Sequence, residues 1–378
     1  MLTKTLEDIK EKNCIIEVFG LGYVGLPLCH KLTNSGFKVL GIDKDIEKIN
    51  KLKNLESPNS EIDLSELKNA IEKKYLDFSN QSLKTEKPRV GIICVPTPIP
   101  NSSITSNIFV KEAVKNFLES SKIGDVIIIE SSIEIGTTEI IQEIIEERYV
   151  VGKEIGLIFC PERIDPLNKE WRMENIPRIV YSSDDISFSI SKEIYHHVNS
   201  GKLFRVKTAK TAEMIKSYEN AFRLINISLV NELAMLCDQL DVDIHDVIKA
   251  AATKPFGFMP FHPSAGAGGH CIPKDPVFLL LSAKKFKMDF SIIDNAININ
   301  KKIPQYIANS ITDILEKEKL ERSIIISGLS YKPNIADMRD SPGFKIVNAL
   351  SEKKFKISVY DPYIKNDISE TTLKENNV

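Results

Sequence analysis

One stretch concentrates the residues that could do chemistry. Lys254 to Pro276 reads KPFGFMPFHPSAGAGGHCIPKDP, and within it Cys271 follows Gly268-Gly269-His270 and precedes Pro273-Lys274-Asp275. Glycines and prolines impose an irregular loop with exposed N–H groups. The thiolate is the nucleophilic form of cysteine, and neighbouring cations such as Lys274 or His270 favour it. The bland alternative is an inert buried cysteine or a zinc ligand. No further Cys or His stands at zinc-ligand spacing from Cys271, so no metal is expected. The remaining cysteines read as small apolar side chains: Cys14, Cys94 and Cys160 lie in β-rich apolar runs, Cys29 and Cys237 in helix-like segments.

Two other groups stand out. Lys216, Asn220 and Arg223 fall at i, i+4 and i+7, one polar stripe along an otherwise apolar helical pattern. Such a stripe is commonly a solvated face, but the apolar surroundings turn Lys216 and Asn220 inward or toward a cleft. Glu162, in FCPER, comes just after a predicted strand, and catalytic groups collect at the carboxyl ends of strands in α/β sheets.

A cofactor site is marked by Gly20-Leu21-Gly22-Tyr23-Val24-Gly25, which follows a predicted strand and opens a helix. Asp43 ends the next strand, close to the expected distance of about 20 residues. The glycines permit a tight turn and close approach of backbone to a pyrophosphate, for which the helix N-terminus supplies donors. Asp43 would accept from the ribose hydroxyls and repel a 2′-phosphate, so NAD is expected rather than NADP.

The elements that must position these residues follow from periodicity. From about residue 14 to 205 the runs CIIEVFG, KVLGID, RVGIICV, DVIIIE, GLIFC and RIVYS alternate with amphipathic or polar stretches, which predicts parallel βαβ units. From Thr208 to about Leu240 the chain reads as one long helix, with Met214, Ile215, Tyr218, Phe222, Ile225, Leu229, Leu233 and Leu236 at threes and fours. This predicts a buried connecting helix that also offers a face to a second subunit. After Asn300, SIIISGLSY and KISVYDPY read as strands flanking a helix around 342–351. Two parallel strands and one crossover are part of an α/β domain, because both faces of such a sheet need cover. The expected division is a Rossmann-like NAD-binding parallel sheet at 1–205, a helical central and dimerisation domain with the cysteine loop at 206–300, and an incomplete C-terminal Rossmann-like domain at 301–378.

Composition narrows the partners. Of 378 residues, 42% are hydrophobic and 27% charged, with 50 basic against 52 acidic side chains, so neither nucleic acid nor an anionic membrane is expected as main partner. The opening MLTKTLEDIKEKN has no apolar core of signal-peptide type, and no apolar run approaches the roughly 20 residues that span a bilayer. A cytoplasmic protein is expected.

The motifs GLGYVGLP, CVPTP, ESSIEIGTT, CPERIDPLN, AEMIKSYENAFR, GGHCIPKDP and GLSYKPNIADMRDSP occur in the order seen in the nucleotide-sugar 6-dehydrogenases, which the chain resembles over nearly its whole length. The resemblance implies NAD-dependent oxidation of a sugar's primary alcohol through the aldehyde to the carboxylate, with Cys271 forming a thiohemiacetal and then a thioester. It implies that Lys216, Asn220 and Asp275 hold the reacting oxygen or an ordered water, and that Glu162 assists acid/base steps. Ser132 stands where the family usually has threonine beside that water. Tyr23, Val24, Pro96, Thr97, Lys332 and Arg339 join the glycines and Asp43 as implied cofactor contacts. Glu162, Arg163, Lys216, Asn220, Arg223, Lys254, Phe261, Gly268 and His270 are the implied substrate contacts.

GGHCIP together with KPFGFMPF is similar to the branch acting on UDP-N-acetylhexosamines, with UDP-N-acetylglucosamine the first choice and UDP-N-acetylmannosamine or UDP-glucose the alternatives. Relatives carry further strands and helices in the third domain, so an inactive shortened form is also weighed. A two-electron dehydrogenase of the 3-hydroxyacid or phosphogluconate kind would share the cofactor fold but need no nucleophilic cysteine.

Overall fold

Strands made of continuous β-branched residues have no polar face to show to water, so they bury on both sides. Ile128 and Ile129 in VIII, and Ile92 and Ile93 in RVGII, are fully buried, as expected of inner strands in a parallel sheet. A computed structural model describes residues 1–56, 64–99, 107–164, 168, 170–269, 271–334 and 337–364. Contacts divide the chain into two compact units, Met1–Lys216 and Ser217–Val378.

In the first unit the elements run α1 (Leu2–Lys10), β1 (Ile15–Phe19), α2 (Gly25–Asn34), β2 (Lys38–Ile42), α3 (Ile46–Lys53), α4 (Ser65–Glu72), β3 (Leu76–Ser79), β4 (Arg89–Ile93) and α5 (Ile108–Glu119). They continue as β5 (Val126–Ile129), α6 (Thr137–Glu146), β6 (Gly156–Phe159), β7 (Arg178–Ser182), α7 (Asp185–His196) and β8 (Leu203–Arg205). The strands form one sheet in the order β3-β2-β1-β4-β5-β6-β7-β8. Successive side chains of each strand enter opposite cores. Val126 and Ile128 pack with α2 and α7 on one face, Ile127 and Ile129 with α5 and α6 on the other.

The expected all-parallel sheet holds with one correction. RIVYS enters as β7 antiparallel to β6, pairing Ile158 with Ser182 and Phe159 with Tyr181. Its first residue therefore lies at the edge where β5 and β6 end. The strands β3 and β8 have no counterpart among the expected runs.

The helix α8 (Ala209–Leu240) begins in the first unit and continues into the second. It is followed by α9 (Ile244–Ala251), α10 (Asp275–Lys285), α11 (Ser291–Lys317), β9 (Ser323–Ser327), α12 (Pro342–Glu352) and β10 (Lys356–Tyr360). The strands β9 and β10 pair in parallel, and Ile324, Ile326 and Ile357 pack with α11 and α12 around Ala308, Ile346 and Leu350.

Burial of α8 is the second correction. Met214, Tyr218, Phe222, Leu229, Leu233 and Leu236 are exposed, Tyr218 at 64% and Leu229 at 61%. Their spacings by threes and fours put them on one side of the helix, while Ala221, Leu224 and Ser228 are buried on another. Apolar periodicity reports that a helix face is apolar, not that this chain covers it.

Candidate active site

The Gly20–Gly25 turn is tight because little else would close it. Gly20 takes φ +92°, and a Cβ there would stand 2.8 Å from the Cys94 carbonyl oxygen in the loop after β4. A Cβ on Gly25 would lie 2.0 Å from the Gly20 carbonyl oxygen, whereas one on Gly22 would meet nothing within 4 Å. The turn thus closes on itself and leaves Gly22 clear. It stands between β1 and β4, where the strand order reverses and α/β sheets bind ligands. Tyr23 is exposed, and Val24 caps α2. These residues fit a dinucleotide pyrophosphate.

Asp43 is anchored to the same turn. Its Oδ2 accepts from the Leu21 N–H at 3.0 Å and from Lys48 Nζ at 2.8 Å, and its Oδ1 from the Asp45 N–H at 3.1 Å. Burial alone would push the carboxyl up, but these donors outweigh it and hold Asp43 below its ordinary range. The loops after β4 and β5 are stitched together next door. Thr97 Oγ1 donates to the Ser132 carbonyl at 2.5 Å, and Ser131 Oγ to the Val95 carbonyl at 2.7 Å. Pro96 is exposed, and Ser132 is half-buried.

Glu162, just past β6, is buried. Its Oε1 accepts from the backbone N–H groups of Arg163 at 2.7 Å and Ile164 at 2.9 Å, and its Oε2 from Arg178 Nη2. The Arg163 side chain reaches the Pro177 carbonyl at 2.8 Å. Lys216 is half-buried at the end of this unit. One turn earlier Glu213 caps α6, accepting from the N–H groups of Gly136 at 2.6 Å and Thr138 at 2.8 Å and from Thr138 Oγ1 at 2.6 Å. Burial pushes the Glu213 carboxyl up despite these donors.

In the second unit the thiol loop is held by its backbone. Asn300, on α11, accepts from the Ala267 N–H at 2.7 Å and donates to the Ala267 carbonyl at 3.0 Å, while Asn231 accepts from the Ser264 N–H at 2.8 Å. The Gly269 N–H donates to the Arg339 carbonyl at 3.1 Å. A Cβ on Gly268 would strike Pro342 and Asp340, and one on Gly269 the Tyr331 ring. Only glycine lets the loop lie so close to the GLSYKPNIADMRDSP segment. Lys332 is half-buried there, and the Arg339 guanidinium pairs with Asp337.

Cys271 is exposed, and its carbonyl accepts from the Asp275 N–H at 2.9 Å as α10 begins. Asp275 is fully buried. Its Oδ2 accepts from Asn220 Nδ2 at 2.6 Å, while among the described residues its Oδ1 has no hydrogen-bond partner, although Lys274 Nζ stands 3.5 Å away. Asn220 is half-buried and Arg223 exposed on α8. Lys254 is exposed, and Phe261 meets Phe222 edge to face at 6.1 Å. His270 lies outside the described residues.

The structure therefore joins Asn220 to Asp275 beside Cys271, and Thr97 to Ser132. The buried partners Glu130, Arg178 and Tyr195 around Glu162 were not foreseen. Their signal was a charge at the margin of an apolar run, as in DVIIIE and RIVYS, because a buried charge needs a counter-charge.

A glycine turn that fits a pyrophosphate at a sheet's switch point defines a dinucleotide-binding, Rossmann-like protein. Residues 14–199 match the NAD binding domain of the UDP-glucose/GDP-mannose dehydrogenase family, 210–302 its central domain and 325–377 its UDP binding domain. The UDP-N-acetyl-D-mannosamine dehydrogenase of Methanococcus vannielii is 36% identical over 363 residues, 94% of this chain and 81% of that protein. The UDP-N-acetyl-D-glucosamine 6-dehydrogenase of Salmonella typhi is 31% identical over 363 residues, covering 92% and 82%. Among solved structures, the UDP-D-ManNAc dehydrogenase of Pyrococcus horikoshii superposes with a TM-score of 0.83 at 32% identity, covering 94% of this chain and 86% of that one. The chain belongs to the UDP-glucose/GDP-mannose dehydrogenase family and is an NAD-dependent nucleotide-sugar dehydrogenase.

Proposed function

We propose that this dehydrogenase oxidises C6 of a UDP-N-acetylhexosamine to the carboxylate in two hydride removals, with Cys271 holding the sugar between them. The observation that carries this reading is the fully buried Asp275, one turn beyond an exposed thiol: one oxygen takes the Asn220 amide, and the other has no hydrogen-bond partner among the described residues, with Lys274 Nζ 3.5 Å away. A buried carboxylate oxygen so placed can accept a hydrogen bond from an ordered water.

NAD supplies the hydride acceptor, one molecule for each oxidation. Gly20, Gly22, Tyr23, Val24, Gly25, Asp43, Pro96 and Thr97 would hold it, and Lys332 and Arg339 are the contacts that the family resemblance adds. The first oxidation turns the alcohol into an aldehyde as the hydroxyl loses its proton. Cys271 sulfur then adds to the aldehyde carbon, and the carbonyl oxygen takes up a proton. Loss of a second hydride, together with the hydroxyl proton of the thiohemiacetal, leaves a thioester, and the covalent bond keeps the aldehyde from escaping. Water attacks the thioester carbon, the C–S bond breaks with its electron pair returning to sulfur, and the acid loses its proton. Lys216 stabilises the alkoxide, Asn220 and Asp275 orient the water with Ser132 beside it, and Glu162 carries protons. Arg163, Arg223, Lys254, Phe261, Gly268 and His270 are the substrate contacts that the family resemblance implies.

In this reading residues 1–205 bind NAD, 206–300 carry the thiol loop and the pairing helix, and 301–378 bind the nucleotide. GGHCIP and KPFGFMPF put UDP-N-acetylglucosamine first, whereas the relatives favour its epimer. The named mannosamine dehydrogenases are 33% to 36% identical, the glucosamine enzymes 30% and 31%. We therefore place UDP-N-acetylmannosamine first and UDP-N-acetylglucosamine second. The exposed apolar side of α8 supports a homodimer, and a monomeric mass in solution would contradict it. Free cysteines fit a cytoplasmic location.

Purified protein with NAD and each of UDP-N-acetylmannosamine, UDP-N-acetylglucosamine and UDP-glucose tests the reading. Two NADH per uronic acid from one sugar is expected, and Cys271→Ser should nearly abolish the acid. Full acid formation by that variant, or one NADH per product, would overturn the mechanism.

A further inference from the structure

The first unit contains a buried charge cluster of which the mechanism uses only Glu162. Arg178 opens β7 and is fully buried, and the antiparallel entry of β7 brings it beside the ends of β5 and β6. Its Nη2 donates to Glu162 Oε2 and its Nη1 to Glu130 Oε1 at 3.2 Å. Tyr195, from α7, donates its hydroxyl to the same Glu130 oxygen at 2.5 Å, and its ring lies 4.6 Å from the guanidinium carbon. Cys160 Sγ is 4.0 Å from Nη1, and Cys94 Sγ is 4.0 Å from Glu130 Oε2.

Stability alone does not explain such a cluster. Buried ion pairs can commonly be replaced by apolar residues of similar volume without loss, so their presence says little about stabilisation. What the cluster does accomplish is geometric. The guanidinium is a planar fork that fixes direction as well as charge. With Arg178 on one oxygen and two backbone N–H groups on the other, the Glu162 carboxylate cannot turn.

We propose that Arg178 is a positioning residue for Glu162, fixing the orientation of the carboxylate that takes the proton in thioester hydrolysis, and that Glu130 and Tyr195 hold Arg178 in place. In that step the water oxygen bonds to the thioester carbon, the C–S bond breaks with its pair going to Cys271, and the water proton passes to Glu162. The inference rests on the role given to Glu162 above.

The test uses the full chain with NAD and the UDP-N-acetylhexosamine that turns over, comparing Glu162→Gln, Arg178→Lys and Tyr195→Phe. Arg178→Lys keeps the charge but loses the fork. It should lower kcat roughly 10- to 100-fold, the range for removing an outer partner that orients a functional group, with KM for sugar and NAD unchanged. A covalent sugar adduct on Cys271 should accumulate, visible by intact mass. Tyr195→Phe should show the same adduct with a smaller loss, and it decides the matter if Arg178→Lys fails to fold. Parental turnover in folded Arg178→Lys, beside a blocked Glu162→Gln, would overturn the proposal alone. Parental turnover in Glu162→Gln would remove the role of Glu162 itself. Loss of KM, NAD affinity and melting temperature together, without adduct, would make Arg178 merely structural and also overturn it.

Discussion

Two arginines are buried in the same sheet, each between two carboxylates, at opposite ends of the strands. Arg89 opens β4 at the amino edge, with Nη2 2.8 Å from Asp125 and Nη1 3.3 Å from Glu17. Its Nε also reaches Asp125 at 3.2 Å, and further donations go to the Leu83 carbonyl at 3.0 Å and to Ser120 Oγ at 2.9 Å. Glu17, Arg89 and Asp125 are all fully buried. Arg178 sits at the carboxyl edge, and there the closure is incomplete. Among the described residues its Nε has no hydrogen-bond partner, and Glu162 keeps 8% exposure. Similar charges lock the sheet where no ligand is expected and hold a carboxylate where ligands bind, so location rather than composition separates a structural cluster from a working one.

The contrast breaks most visibly at Arg89. Arg89→Ala strands two buried carboxylates and should cost about 3–5 kcal/mol, read by denaturant unfolding, while turnover per folded molecule stays parental. Parental stability with lost turnover would reverse the assignment of the two clusters. Glu213→Ala should come next, uncapping α6 at a cost of about 1–3 kcal/mol for the buried donors it leaves unpaired. An unchanged melting temperature would show that water replaces the carboxylate.

The smallest effect concerns pH. Burial pushes the Glu17 and Glu130 carboxyls up. They bind protons more readily folded than unfolded, so their protonation does not drive acid unfolding. Asp43 is held low. Its contribution is complete above an unfolded value of about 4 and is lost as pH falls through the lower folded one. Asp43→Asn should therefore narrow the gap between stability at pH 7 and at pH 3, and an unchanged gap would place the acid sensitivity elsewhere.

Much of this was legible beforehand. The six apolar runs became strands because continuous β-branched residues have one way to bury both faces, and 208–240 became α8 because its spacing suits only a helix. The cofactor turn was readable because glycines are demanded at set offsets by close backbone approach. The two short strands β3 and β8 were not readable, since LDFS and LFR are too brief to show a period.

Taken alone, the sequence determined the alternation of strands and helices, the preference for NAD and the singular setting of Cys271, because each depends on residues near one another in the chain. Tertiary structure decided the rest. The reversal of β7 sets which carboxylates meet Arg178, the start of α10 brings Asp275 to Asn220, and the packing of α8 decides which of its apolar residues stay exposed. These outcomes depend on partners distant in sequence, such as Asn220 and Asp275, or Glu130 and Tyr195, and periodicity carries no record of which distant side chain will arrive.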